Sequence, residues 1–424
     1  MASAGRSAWR CSRNARSKVS VSSNRPASQI FHAVTHVWGR EYLDVFLNVC
    51  IPNQLAPGNI PALPRGSRYR ILTRSIHVPE IDAHPMVHAL RESIPVDIVV
   101  VDALDQQMGV ADGHDLMMAC HRRAIADILE ADAAIIMLSA DFVFSDNAMA
   151  AVVTRHREGY RAVVNTGLRL AKESFLEHLS RTRTPLDALP SRELVRLGWP
   201  HLHPHTKSMF ADARPFSIFP VGVCWRIGDD GLLARFLHLH PLMVDPVNRA
   251  ALKGTNDGKY LSRACPDFTR VHVVTDSDEL QMFELTTVQR QVIASRGNGA
   301  SVWRSAAVVS MCDDHQIGYW RNYRIRLHTG DFDGRWEAAA AASDAFANRV
   351  LWLRPYGHAI RQWLWLLKRA QQRRDRLRRR WRNQVPRVRL KQILRPLRIA
   401  EGRARKALRK TTRELFRHAA AKSR

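Results

Sequence analysis

"IIMLSADFVFSDNAM", residues 135–149, carries an apolar run from Ile135 to Leu138 straight into two acids, Asp141 and Asp146. A short apolar run that closes on Ser, Ala and Asp reads as a buried strand ending in a turn, with a helix beginning near Ser145 and stopping before Gly159. Carboxylates at such a strand end have two explanations. Asp is favoured in strand-to-helix turns and at helix starts, where its side chain accepts from nearby backbone N–H groups. Alternatively, the strand end holds a divalent cation, which prefers oxygen ligands and needs only one or two carboxylates when phosphate and water complete its shell.

The same alternation extends on both sides of this stretch. "QIFHAVTHVWG", "YRILTR" and "PVDIVVVDAL" read as strands, and "REYLDVFLNVCIPNQLA" and "HDLMMACHRRAIADILEA" as helices with apolar residues at helical spacing. Strand–helix alternation predicts an α/β fold with a mostly parallel sheet, whose ligands bind outside the carboxyl ends of the strands. Asp141 falls at such an end. Further on, "FSIFPVGVCWRIG", "LLARFLHLHPLMV" and "RVHVVTDSDELQMFEL" read as three more strands, and residues 335–370 as helical.

Charge divides the 424 residues sharply. The net charge is +26, yet residues 361–424 carry 24 Lys and Arg against 3 acids, and residues 1–30 carry 6 against none. That leaves 35 basic and 36 acidic residues between 31 and 360, a nearly neutral body with basic ends. A polyanion partner is therefore expected at the termini. The six cysteines form no CxxC pair, so they read as reduced thiols of a cytoplasmic protein. No apolar run approaches the roughly 20 residues needed to cross a bilayer. The expected organisation is a disordered basic arm at 1–30, a catalytic domain at 31–335, a helical segment at 336–370 and a basic tail at 371–424.

The order of "VWGREYLDVFLNVCIPNQLAPGNIPAL", "YRILTR" and "CHRRAIADILEADAAIIMLSADFVFSDNAMAAVVTRHREGYRAVV" resembles bacterial glycosyltransferases of the GT-A type over about positions 30–170, and more loosely to about 290. Those enzymes have a nucleotide-binding α/β domain whose fourth strand ends in a metal-binding acidic motif. The resemblance implies Asp141 as metal aspartate, with His238 or His240 of "HLHP" completing the shell of a divalent cation, Mn2+ or Mg2+. It implies Thr35, Trp38 and Thr73 around the nucleotide at the first two strand ends, with His121 facing the base or ribose and Asp146 beside the donor. The sequence departs from a full DxD pattern, since Phe142 and Val143 follow Asp141 and the next acid is Asp146. Two histidines at i and i+2 on a strand suit a metal, but their alternation with Phe236 and Leu239 suits half-buried packing equally. A general base would come from Asp257 in "GTNDGKYL" or Asp278 in "TDSDEL", with Asp257 preferred, although both stretches also read as plain turns.

In "IRQWLWLLKRAQQRRDRLRRRW", Trp363 and Trp365 stand with Leu364, Leu366 and Leu367 directly before an Arg run. Rings and Leu flanked by cations suit the headgroup level of an anionic membrane. Nucleic acid is the less favoured partner, because no recognition signature accompanies the charge. The expected function is transfer of a sugar from a nucleotide-sugar donor to a glycan or lipid-linked acceptor at the cytoplasmic membrane face, as in polysaccharide assembly. The alternative is a non-catalytic, transferase-like binding protein whose tail holds membrane or nucleic acid.

Overall fold

The computed structural model describes residues 28–104, 113–217, 221–246, 259–289 and 299–381. The chain forms two compact units, each discontinuous in sequence. Unit 1 takes residues 1–203, 238–289 and 325–330, and unit 2 takes 204–237, 290–324 and 331–424.

Unit 1 is mixed α/β. Its strands are β1 (Phe31–His36), β2 (Arg68–Thr73), β3 (Val96–Val100), β4 (Ala134–Met137), β5 (Phe142–Phe144), β6 (Ala162–Asn165), β7 (Leu168–Ala171), β10 (His240–Val244), β11 (Val271–Val273) and β12 (Met282–Thr286). Seven of them form the central sheet in the order β11-β6-β10-β4-β1-β2-β3. β1 runs parallel to β2 and β4, β2 to β3, and β6 to β11. β10 lies antiparallel between β4 and β6, pairing Met243 with Ile136 and His240 with Asn165. β5, β12 and β7 form a smaller sheet in that order.

The strands form where the sequence is continuously apolar. All four residues of β4 are buried, as are Phe31, Ala33 and Val34 of β1, which is the pattern of a sheet covered on both faces. Burying each such Val, Leu, Ile or Phe side chain contributes roughly 1.5–3 kcal/mol. The helix Gly113–Glu130 supplies Leu116, Cys120, Ala124 and Ile128 as a buried stripe, matching the predicted face.

The helix Ala148–Arg157 shows how closely the turn after β5 is built. Its first N–H groups, those of Ala148 and Met149, donate to Asn59 Oδ1 at 3.0 and 3.4 Å. Gly58 is packed so tightly there that a Cβ would come within 2.4 Å of the Asn147 backbone, so only glycine fits.

Unit 2 contains the antiparallel hairpin β8 (Gly222–Arg226) and β9 (Gly231–Phe236). Its helices Val302–Val309, Asp314–Asn322, Gly334–Leu353 and Gly357–Trp381 gather Phe216, Val223, Trp320, Val350 and Leu353 into one core. Inside it, buried Arg235 donates to Ser343 Oγ at 2.9 Å, to the Trp320 and Arg321 carbonyls at 2.7 and 3.1 Å, and to Asp344.

"LLARFLHLHPLMV" is two strands, since the chain turns at Leu237–Leu239 and leaves β9 of unit 2 for β10 of unit 1. Both halves are buried, so nothing in the apolar pattern marks the change. The helical run is broken at Arg354–Tyr356, where Pro355 cannot continue the backbone ladder. No helix among the described residues is long and apolar enough to cross a membrane.

Candidate functional site

At the carboxyl ends of parallel strands the backbone N–H and C=O groups lose their ladder partners, and where the sheet order reverses a crevice opens. Here the reversal lies between β1, which leads away to β2 and β3, and β4. β4 is followed by Leu138, Ser139, Ala140 and Asp141.

Asp141 is buried. Its Oδ1 accepts from Ser139 Oγ at 2.5 Å, and its carbonyl accepts from Leu285 N at 2.8 Å. Its charge is felt by Cys50, whose thiol is pushed well up by burial and secondarily by Asp141. Because β10 is antiparallel, its first residue lies at the same end of the sheet. His240 Nε2 sits 2.8 Å from the Met137 carbonyl, and its ring meets Phe142 edge-on at 5.0 Å. A ring N–H must face that carbonyl, so Nε2 carries the proton and Nδ1 is the acceptor in the neutral ring.

His36, the last residue of β1, meets His121 edge-on at 4.8 Å and lies 5.5 Å from the Trp38 ring. Its pKa is held well below the ordinary value, first by burial and then by His121 and His240. The structure thus groups Trp38, His36, His121 and His240 around the end of β1 and β4.

Thr35, Thr73 and Asp146 make hydrogen bonds within the framework. Thr35 bonds Tyr69 Oη at 2.8 Å, and Tyr69 donates onward to Gln54 Oε1 at 2.7 Å, all fully buried. Thr73 Oγ1 donates to the Val37 carbonyl at 2.7 Å, tying the end of β2 to the chain leaving β1. Asp146 Oδ1 accepts from Gly58 N at 2.9 Å and Asn147 N at 2.8 Å, while Asn59 takes the cap of the following helix. His238 lies half-buried in the link between β9 and β10. Asp257 lies outside the described residues.

A second group, also in unit 1, could hold a metal ion. Asp276, Asp278 and His328 each offer a ligand atom, all within 4.8 Å of one another. Asp276 and Asp278 follow β11, and His328 ends the strand β13 (Ile325–His328). His328 is 1% exposed; its Nδ1 lies 2.6 Å from the Gly330 carbonyl, and its Nε2 lies 2.8 Å from Asp276 Oδ1 and 3.7 Å from Asp278 Oδ1. A carbonyl on one ring nitrogen orients the other toward a ligand, as outer partners of metal-bound histidines do. Two carboxylates with one imidazole suit Mn2+ or Zn2+ better than Ca2+. Arg192 brackets Asp278 at 2.8–3.0 Å, and Arg326 lies 3.4 Å from Asp276. Burial is the largest influence and opposes charge on both His328 and Asp276, but their mutual hydrogen bond together with backbone hydrogen bonds and neighbouring charges outweighs it, raising the His328 pKa and lowering that of Asp276.

The two acids stand together in "TDSDEL", but their partner His328 stands 50 residues further on and carries no local signal. Ser139 and His36 were likewise missed. Both sit beside residues that were singled out, and both fall where a strand terminus would expose them.

The histidines predict an acid response. His36 stays neutral in the fold, whereas an unfolded histidine takes up a proton near 6.5. Stability is therefore lost as pH falls below about 6.5, by up to about 1.4 kcal/mol per unit until the folded pKa is reached. His328 acts the other way: its stabilisation is complete below about 6.5 and is lost as pH rises through its raised value. Urea unfolding between pH 7.5 and 5.5 is expected to show a shallower decline in His36→Phe than in the wild type. Equal slopes would exclude His36 as the source.

No protein-family model matches the sequence, and no curated protein matches it. Among solved structures, the chain is similar to mouse xyloside xylosyltransferase 1 in its apo form, with 10% identity and a TM-score of 0.25. The match covers 37% of this chain and 59% of that one, so the chain spans less than two thirds of that structure's length. A likeness of this size carries no argument about activity.

Proposed function

We propose that unit 1 transfers a sugar from a nucleotide-sugar donor to a hydroxyl acceptor. The observation that carries this reading is the convergence of Ser139–Asp141, His240, His36 and His121 on the carboxyl end of a mostly parallel sheet at its reversal point. The resemblance of residues 30–170 to GT-A-type transferases adds the expectation of a donor diphosphate there.

A carboxylate beside a diphosphate is repulsive by itself, so this reading includes a divalent cation at Asp141 with His240 Nδ1 as the nitrogen donor. Carboxylate, hydroxyl and imidazole are donor types that such an ion accepts. Bound there, the cation offsets charge on the leaving diphosphate. The chain's own part is to hold Asp141 through Ser139 and the Leu285 N–H, to fix the His240 tautomer through Met137, and to keep His36 neutral. Trp38 would offer a ring face to the base.

Isothermal titration of the full chain with UDP-, GDP- and CMP-sugars, with and without Mn2+, tests the proposal. Saturable binding of one donor that strengthens with Mn2+ is expected. No binding of any donor would favour the non-catalytic binding protein instead. Repeating the titration with Asp276→Asn separates the two donor sets, since Mn2+ dependence that survives there but not in Asp141→Asn places the ion at β4.

The acceptor and the membrane face are part of the same proposal. In the helix Gly357–Trp381, Trp365 and Leu366 are 51% and 57% exposed, and the Arg369 guanidinium lies 4.0 Å over the Trp365 ring. Exposed apolar groups beside cations suit an anionic bilayer surface, where a glycan or lipid-linked acceptor is met. Trp365→Ala with Leu366→Ser is expected to weaken flotation with anionic vesicles at least about tenfold, on the scale of the exposed halves of two large apolar groups withdrawn from the interface. Unchanged flotation would leave this helix with no membrane role.

A further inference from the structure

We infer that a groove in unit 2 is a binding site for a phosphate-bearing organic ligand. The groove has a volume of about 630 Å³, and Lys207, Arg214 and Arg226 line it together with Phe210, Pro215 and Asp212. Three cations face one carboxylate. This inference stands on unit 2 alone and does not depend on the transferase reading of unit 1.

Elsewhere in unit 2, Arg235 and Arg324 share Asp344, and Arg335 bonds Asp230 and Asp333. Lys207 and Arg214, by contrast, have no ion-pair partner among the described residues. An anion bound beside such cations gains favourable electrostatic energy.

The walls are fixed by backbone pairing. Cys224 N donates to the Met209 carbonyl at 2.9 Å and Ala211 N to the Cys224 carbonyl at 2.7 Å, aligning Phe210 with β8. Ala213 N bonds the Phe210 carbonyl at 2.9 Å, Ser217 N the Ser208 carbonyl at 2.9 Å, and Gly299 N the Ala213 carbonyl at 2.8 Å. Arg226 lies over the Phe210 ring at 4.8 Å, a stacking that holds its guanidinium in place. A ligand would meet a formed site.

Lys207 and Arg214 against the single Asp212 carboxylate leave positive charge to meet a phosphate, and Arg with Lys is the usual phosphate-binding pair. The volume lies in the range of small-molecule sites and far exceeds inorganic phosphate. Phe210, Pro204, Ala213 and Pro215 offer an apolar surface for the esterified part. The phosphate could belong to a soluble ester or to a lipid headgroup.

Calorimetric titration of the full chain with phenyl phosphate, against inorganic phosphate, tests the site. One saturable site preferring phenyl phosphate is expected, weakened at least about tenfold by Lys207→Gln with Arg214→Gln, since each removes a charge-assisted hydrogen bond. Arg373→Gln with Arg376→Gln is expected to leave it unchanged. Equal binding by wild type and the Lys207/Arg214 variant, or loss only in the Arg373/Arg376 variant, would overturn the site. In the wild type, phenyl phosphate should also protect Lys207 from acetylation, read by mass spectrometry; absence of protection would count against the site even if the variant failed to fold. Flotation with phosphatidic acid against phosphatidylcholine vesicles distinguishes the sources: weakening of the phosphatidic acid arm in the Lys207/Arg214 variant points to a headgroup, and its persistence points to a soluble ester.

Discussion

Asp141→Asn is expected to lower sugar transfer by about a hundredfold or more, with thermal unfolding close to that of the wild type. The amide keeps the oxygen that accepts from Ser139 Oγ, so the turn after β4 retains its hydrogen bond. What disappears is the charge. A metal-assisted departure draws several kcal/mol from charge neutralisation, and each 1.36 kcal/mol is about tenfold in rate, which sets the expected loss. Measuring donor turnover alongside the unfolding midpoint separates chemistry from folding. Full transfer by Asp141→Asn would make this acid a turn residue and remove the basis for a cation at β4. Asp146→Ala should differ, costing about 1 kcal/mol of stability through the released Gly58 and Asn147 N–H groups and leaving turnover largely intact.

The largest expected loss of stability follows from Asp245→Ala. Asp245 is fully buried beyond the end of β10, where its Oδ2 accepts from Ser28 N at 3.1 Å, lies 3.0 Å from His156 Nε2, and pairs with Arg161, itself 3% exposed. Removing the carboxylate strands the Arg161 guanidinium in the interior, an uncompensated charge that costs about 3–5 kcal/mol. Replacing both partners, as in Asp245→Leu with Arg161→Met, should recover much of this, because no charge is then left buried. Asp278→Ala is the contrast: its bond to Arg192 is between half-exposed side chains and is worth no more than about 1 kcal/mol. Urea unfolding of the variants checks the ranking, and a loss below about 1 kcal/mol in Asp245→Ala would refute the account of this cluster.

The strand-and-helix alternation through Arg157 was legible because burial on both faces writes itself into the sequence as apolar runs. β4 and the helix Gly113–Glu130 are the clearest cases. Legibility failed where position depends on distant chain. No local feature says that His240 begins a strand threaded between β4 and β6 while Phe236, four residues earlier, ends a hairpin in another unit. Asp146 looked like a helix cap from its neighbours, but Asn59 reaches that helix first from 89 residues away. Asp141 was legible as a strand-end acid. The imidazoles around it were legible only singly, since their meeting is a property of the sheet.

The antiparallel placement of β10 also constrains how the protein can be made. β4 and β6 have both left the ribosome well before residue 240, yet neither can complete its ladder on the facing side until that strand arrives. Through the synthesis of unit 2's first segment, 204–237, the nascent sheet has an open slot, edged by the unpaired backbone N–H and C=O groups of two apolar strands. A chain ending near residue 203 would keep that slot permanently, offering it to any extended apolar segment nearby, including the same slot in another copy. Dissecting this protein into soluble pieces therefore requires cutting after the β10 segment, whatever activity the pieces are meant to report.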